Sequence, residues 1–313
     1  MSLLSLAPLA GFSDLAFRSL CFSYSCDYAV TEMISAQALY YENEKTETLL
    51  TIGKDEGKLG VQLFGRDPKM MEKVIQKKIN PLAFDVIDLN MGCPAPKIVK
   101  NKEGSYLMKE PLLVGQMISS MVRASNKPIS AKFRLGMDED HENFLEIGKI
   151  CQEEGASFVT IHGRYSKQMY AGRADWEKMA QLKDHLSIPV IVNGDVTSPE
   201  DAKKLLDLTE ADGLAIGRGA LGRPYLFVQI KQYLKTNQYK EFSWPEIFAI
   251  IRKQYLLALE HKGEKIALLD MRKHFASYLR NYPGGARIRD QVNRLESFAE
   301  IEKLLALQWE SLM

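Results

Sequence analysis

Cysteine is scarce in this chain. The four present, Cys21, Cys26, Cys93 and Cys151, form no Cys-x-x-Cys pair and no Cys/His ligand spacing. That excludes a disulfide framework, a zinc site and an iron–sulfur cluster, and it points to a reducing compartment. An excess of charge is missing too. With 41 basic and 40 acidic residues the formal net charge is +1, so the whole molecule carries no nucleic-acid signature and any basic surface must be local. No apolar run reaches the length of a membrane span. The apolar start, Met1-Ser-Leu-Leu-Ser-Leu-Ala-Pro-Leu-Ala, has no basic residue before Arg18 and is interrupted by Pro8 and Gly11. It reads as a buried first strand, not as a secretory signal. Internal repeats and low-complexity segments are lacking. A cytoplasmic monomer without a metal or a membrane partner is expected.

What is present is ordinary globular material, 46% apolar and 26% charged. The length suits one large domain, or one of about 240 residues with a small appendage. Short β-rich runs recur at Leu3–Ala7, Asp27–Thr31, Leu59–Phe64, Phe84–Asp88, Pro128–Phe133, Phe158–Ile161, Pro189–Val192 and Gly213–Ile216. Stretches with helical spacing lie between most of them: Pro68–Ile79, Leu112–Ala124, Glu142–Glu154, Trp176–His185 and Pro199–Leu208. Eight strands alternating with helices predict an α/β fold, a (β/α)8 TIM barrel. A doubly wound open sheet fits less well, because no Gly-x-Gly-x-x-Gly turn follows the first strand.

The strand pattern ends after Tyr225. Thr236–Ser243 reads as a linker, Ser243-Trp-Pro-Glu246 as a helix start, and the remainder as helices over Trp244–Leu259, Lys265–Arg280 and Asp290 to the end. The predicted division is a barrel over 1–240 and a small all-α domain over 241–313. Residues 262–294 hold eight basic and three acidic side chains. This local excess is either a solvated helical face or a phosphate-contacting surface, with the turn Pro283-Gly284-Gly285 presenting Arg287 and Arg289.

A barrel does its chemistry at the C-terminal ends of its strands. Those ends carry Pro8, Glu32, Gln62, Asn90 with Cys93, Lys132 with Arg134, His162, Asn193-Gly194-Asp195 and Gly217-Arg218-Gly219. The two glycine-containing segments, after the seventh and eighth strands, are where barrels bind phosphate. Glycine lets backbone N–H groups approach an anion, and Arg218 adds charge-assisted bonds. Many phosphate-bearing ligands would satisfy that pattern. Gln62, Lys132 and His162 together also suit the pyrimidine edge of an isoalloxazine, which needs amide-type partners and a cation near N1 and O2. The segment Asp88-Leu-Asn-Met-Gly-Cys-Pro94 presents Cys93 either as a reactive thiol or as a small structural residue.

The ordered set of motifs resembles the tRNA-dihydrouridine synthases over nearly the whole chain. The set runs from Ala7-Pro-Leu-Ala-Gly-Phe-Ser-Asp-Leu-Ala-Phe-Arg18 through Thr31-Glu-Met33, Val61-Gln-Leu-Phe-Gly65 and Asp88-Leu-Asn-Met-Gly-Cys-Pro-Ala95. It continues with Ala131-Lys-Phe-Arg-Leu-Gly136, Ile161-His-Gly-Arg164 to Ala174-Asp-Trp176, Val192-Asn-Gly-Asp195 and Ile216-Gly-Arg-Gly219. The resemblance, to the bacterial type, implies reduction of the C5=C6 bond of D-loop uridines in tRNA, with NADPH as reductant. It implies FMN on Ala7, Pro8, Gln62, Lys132, His162, Asn193, Gly194, Gly217 and Arg218, and we add Asp195 from the same phosphate segment. It further implies Cys93 as the catalytic acid, Asn90 beside the target base and a helical C-terminal domain that helps to hold tRNA. Arg134, Arg164, Lys167 and Arg173 of the barrel mouth, with Arg287 and Arg289 of the tail, are the expected RNA contacts. The alternative is an FMN barrel acting on a free pyrimidine or another small enone.

Overall fold

The computed structural model describes residues 2–280 and 282–310, and of Gln308, Trp309 and Glu310 only the backbone. Among the described residues there are nine strands, with helices between all consecutive ones except β2 and β3: β1 Leu3–Leu6, β2 Tyr28–Val30, β3 Ile34–Ser35, β4 Lys58–Phe64, β5 Val86–Met91, β6 Ile129–Arg134, β7 Phe158–His162, β8 Val190–Asn193 and β9 Gly213–Ile216. Every pairing is parallel, and the β2–β4 pairing closes eight of the strands into a barrel, while the two-residue β3 adds to the far end of β4. The predicted fold class is therefore the observed one.

Side chains alternate across each strand. Leu4 and Leu6, Val61 and Leu63, Ile87, Leu89 and Met91, and Val159 and Ile161 face outward and pack in one core with helix residues such as Met117, Ile147, Leu182 and Leu205. The inward set is largely polar: Ser5, Gln62, Asp88, Asn90, Ser130, Thr160, His162 and Asn193 are all buried. This alternation explains a difference from the sequence reading. The fourth predicted strand, Phe84–Asp88, instead starts at Val86 and runs to Met91. Asp88 and Asn90 do not end it because they point into a polar barrel interior, in register with Ser130 and Lys132 of β6.

Helix starts follow local chemistry. Asp67, Asp175 and Ser198 cap the helices Pro68–Val74, Trp176–His185 and Pro199–Thr209. Ser243 and Glu246 form the capping box expected for Trp244–Lys262. The last predicted helix is two, Gly285–Val292 and Phe298–Glu310. Its break lies at a second capping box that the sequence contains, Ser297-Phe-Ala-Glu300, in which each side chain accepts from the other's backbone N–H.

The terminal helices build a second core, which also takes in Ala16, Leu20 and Tyr225 from the barrel. Across this seam Lys262 pairs with Asp14 (2.6 Å), and within the terminal helices Asp270 accepts from both Lys262 (2.5 Å) and Lys273 (3.1 Å). His274 of the helix Glu264–Tyr278 sits in the seam against Phe12 and Phe17, with both ring nitrogens unpartnered among the described residues. Burial pushes it down to about 4, against the pull of Asp14. An unfolded histidine takes its proton near 6.5, so the stability held by neutral His274 is complete above that pH and falls as pH drops towards 4. We expect this group to cost about 2 kcal/mol between pH 7 and 5. Thermal melts of wild type and His274→Leu at both pH values check it: the variant should lose less stability on acidification, and equal losses would refute the assignment. Among the described residues no helix is long and apolar enough to cross a membrane.

Candidate active site

The strand ends open into one cavity of about 890 Å³ that brings together Ala7, Pro8, Gln62, Asn90, Cys93 and Lys132, with Arg134, His162, Asn193, Gly194, Asp195, Gly217 and Arg218 also on its wall. At its floor lies a chain of hydrogen bonds. Asn90 Nδ2 donates to Gln62 Oε1 (2.7 Å), Gln62 Nε2 donates to Asp88 Oδ2 (2.7 Å), and Ser130 Oγ donates to Asp88 Oδ1 (2.6 Å). Asp88 is the residue that sequence reading passed over. Its spacing of two from Asn90 on a strand was the available signal. Burial raises its pKa, opposed by the Ser130 and Gln62 bonds and by Lys132.

Asn90 also builds the Cys93 loop. Its Oδ1 accepts from the backbone N–H groups of Gly92 (3.2 Å) and Cys93 (3.0 Å). On the other side Arg134 Nε donates to the Gly92 carbonyl (2.8 Å), and Ser105 N–H donates to the Cys93 carbonyl (3.0 Å). Close beneath, Gly104 has φ +60° and lies where a Cβ would come within 2.7 Å of that carbonyl, so the turn requires glycine. Cys93 is thus fixed through its backbone, and its side chain is left half-exposed on the cavity wall.

On the neighbouring strands β6 and β7 lie two basic groups in different protonation states. Lys132 Nζ donates to Asn193 Oδ1 (2.9 Å). Burial and the Arg134 guanidinium push its pKa down to about 8, against Asp88. Burial, then Lys132, Arg134, Arg164 and Arg218, hold His162 well below its usual value, so its ring is neutral. Arg164 Nη1 lies 3.4 Å from His162 Nε2. A guanidinium only donates, which makes Nε2 the acceptor and leaves the ring proton on Nδ1.

The two glycine segments close the far end. Gly194 has φ +147°, and a Cβ there would meet the Ala174 Cβ at 2.6 Å. The backbone N–H groups of Gly194, Asp195 and Gly217 have no acceptor among the described residues. With Arg218 on the rim they form a cradle for an anion. Tyr170 stands over this end, its ring 4.8 Å from Arg218 and 5.7 Å from Arg134. Tyr170 had no role in the sequence reading. Arg223 and Trp244, which extend the cavity wall towards the terminal helices, had none either, and Arg280 beside them entered only through the basic stretch 262–294.

Several expected RNA contacts are placed otherwise. Arg164 is 1% exposed. It donates to the carbonyls of Ala171 (3.1 Å) and Gly172 (2.8 Å) and to both Asp195 oxygens (2.8 Å). Its guanidinium is taken up by its own loop and by Asp195 of the loop after β8. Asp195, expected at a cofactor, has its carboxylate taken by Arg164, by the Ala174 N–H (2.7 Å) and at 3.4 Å by Arg218. Arg134 spends its donors on Gly92, Tyr165 and Met169 carbonyls. It holds loops in place through Nε and Nη1, while Nη2 has no acceptor among the described residues and the residue lines the cavity. Lys167 is exposed and paired with Asp138 (2.5 Å), while Arg173 is exposed. Arg287 is exposed on the helix Gly285–Val292, whereas Arg289 donates to the Leu279 carbonyl (3.0 Å), and neither lines the cavity.

The family model described as dihydrouridine synthase matches residues 5–311. Curated relatives include tRNA-dihydrouridine synthase B of Pseudomonas aeruginosa, 36% identical over 94% of this chain and 88% of that one. The enzyme of the same name from Shewanella oneidensis is 37% identical over 99% of this chain and 96% of that one. Among solved structures, histamine dehydrogenase from Rhizobium sp. 4-9 superposes with a TM-score of 0.55 at 11% identity, covering 81% of this chain and about half (48%) of that one. This last likeness is one of fold.

Proposed function

The chain belongs to the dihydrouridine synthase family, and from that premise we propose that it reduces the C5=C6 bond of D-loop uridines in tRNA, with FMN bound in the barrel mouth and NADPH as the source of electrons. One observation carries the reading: the Cys93 loop and an electropositive cradle for a flavin share the same cavity. The residues suit FMN. Gln62, Asn193 and His162 offer amide and ring donors and acceptors, Lys132 offers a cation, and the unpaired N–H groups of Gly194, Asp195 and Gly217, with Arg218, suit the phosphate. When bound, the flavin supplies the hydride that ends on C6 of the uracil.

The protein's own part is electrostatic and geometric. Hydride addition at C6 leaves negative charge over C5, C4 and O4, and a proton must then reach C5. Cys93 Sγ gives up that proton and regains one from solvent, so the thiol acts as an acid and makes no covalent bond. Asn90 sets the thiol's position through the two N–H groups that it accepts. The target uridine leaves its stack to enter the mouth, at a cost of about a few kcal/mol. Ala7 and Pro8 line the cofactor side. We assign RNA contacts to the exposed cations Lys167 and Arg173, and to Arg287 of the helical segment 241–313, on the strength of their exposure.

The direct test is mass spectrometry of tRNA lacking dihydrouridine after incubation with the protein, FMN and NADPH. We expect a gain of two hydrogens on a D-loop uridine. A protein that consumes NADPH and leaves the tRNA unchanged refutes the reading. Lys132 adds a pH signature. It is charged below about 8, so FMN affinity of the apoprotein should weaken up to about tenfold per unit as pH rises past that value. Titrations with Lys132→Met should be flat over the same range; an equal slope would remove Lys132 from the flavin site.

A further inference from the structure

The predicted basic surface of the terminal helices is largely used up in the fold. Lys262 and Lys273 pair with Asp14 and Asp270, Arg294 with Asp290, and Arg272 and Arg289 donate to the carbonyls of Leu295 and Leu279. A different stretch keeps its charge. From Pro96 to Lys109 the exposed charged residues are Lys97, Lys100, Lys102 and Lys109, and the acid between them, Glu103, is 7% exposed. None of the four lysines has an ion-pair partner among the described residues.

This stretch is the direct continuation of the Cys93 loop. Pro96–Lys100 forms a short helix after Cys93-Pro-Ala, and the chain then returns so that Ser105 N–H reaches the Cys93 carbonyl (3.0 Å). The lysines therefore ride on the element that fixes the thiol. Lys109 lies 5.4 Å from the ring of Tyr106, a half-buried aromatic on the same rim. In a chain of net charge +1, four cations without ion-pair partners on the segment that continues the Cys93 loop are a local anion-attracting field. A single small anion would need a concave site with converging donors. These lysines are spread along an exposed segment, which suits a ligand with repeated charges.

We propose that Lys97, Lys100 and Lys102, with Lys109, form a rim that holds the phosphodiester backbone of the RNA beside the target nucleotide. The rim sets the target's approach to Cys93 from the barrel side. The inference rests on the tRNA-reductase reading and adds where the barrel itself grips its substrate. Point charges on flexible stems give affinity and salt dependence without reading sequence.

The test compares wild type with K97Q/K100Q/K102Q in the full, flavin-loaded protein. Binding of dihydrouridine-free tRNA is measured against KCl concentration, with tRNA reduction followed in parallel. The three side chains are exposed, so melting temperature and flavin spectrum report that the fold is kept. We expect Kd to rise at least about tenfold at low salt and the log–log salt slope to fall by about 2, as loss of two to three phosphate contacts requires. An unchanged slope and Kd, in a wild type that reduces tRNA, overturns the rim alone. A wild type that neither binds nor reduces tRNA overturns the function and the rim together.

Discussion

Cys93→Ala should lower dihydrouridine formation by about two to four orders of magnitude, the range for removing a positioned proton donor. The expected loss is large because the polar side chains at the cavity floor are already committed to other partners. Asn90 is occupied by Gln62 and by the loop N–H groups. Lys132 is bonded to Asn193, and neutral His162 faces Arg164. The substitution should leave the loop standing, because Cys93 contributes to it through its backbone N–H and carbonyl. Single-turnover reaction of the reduced protein with dihydrouridine-free tRNA is the measurement, with flavin absorbance as the check on the fold. A rate within tenfold of wild type would assign the proton to another donor. Asn90→Ala separates positioning from chemistry. It keeps the thiol and releases the loop, so its loss should be smaller and partly recovered by Asn90→Asp, whose oxygen still accepts both N–H groups.

Much of this site was legible because strand ends announce themselves. Each strand is a short apolar run closed by a polar residue or glycine, and parallel closure carries those residues to one mouth whatever their distance in sequence. What stayed hidden was the direction of long side chains. Arg134, Arg164 and Lys262 read as free cations because their partners are backbone carbonyls, Asp195 and, for Lys262, Asp14 at the other end of the chain. A charge count over 262–294 cannot see an acid at position 14. The lysines of 97–109 were passed over for the converse reason. Four cations in an ordinary loop look unremarkable until the fold shows that the one acid among them is buried. Asp88 was hidden differently: a polar residue near the end of an apolar run reads as the strand's end, whereas in a polar barrel it is part of the floor.

The buried arginine gives the second large effect. Arg164→Ala should destabilise the protein on the order of 3 kcal/mol, near the lower end for breaking a buried pair because the Asp195 side chain keeps 28% exposure. The loss arises from what is left behind. Asp195 would keep the Ala174 N–H and a distant Arg218, and the carbonyls of Ala171 and Gly172 would lose their donor. Arg164→Lys should restore little, since one ammonium cannot reach the carboxylate and two carbonyls in the forked geometry a guanidinium provides. Asp195 carries part of the phosphate cradle and Arg164 borders His162, so flavin affinity should fall with stability. Urea unfolding of both variants, paired with tRNA binding across salt, distinguishes this internal role from the RNA contact that the sequence suggested. If Arg164 met RNA, the midpoint would stay and the salt slope would drop by about 0.7 to 0.9. The internal bonds of Arg164 require the opposite: a lower midpoint, with a slope equal to wild type for the protein that remains folded.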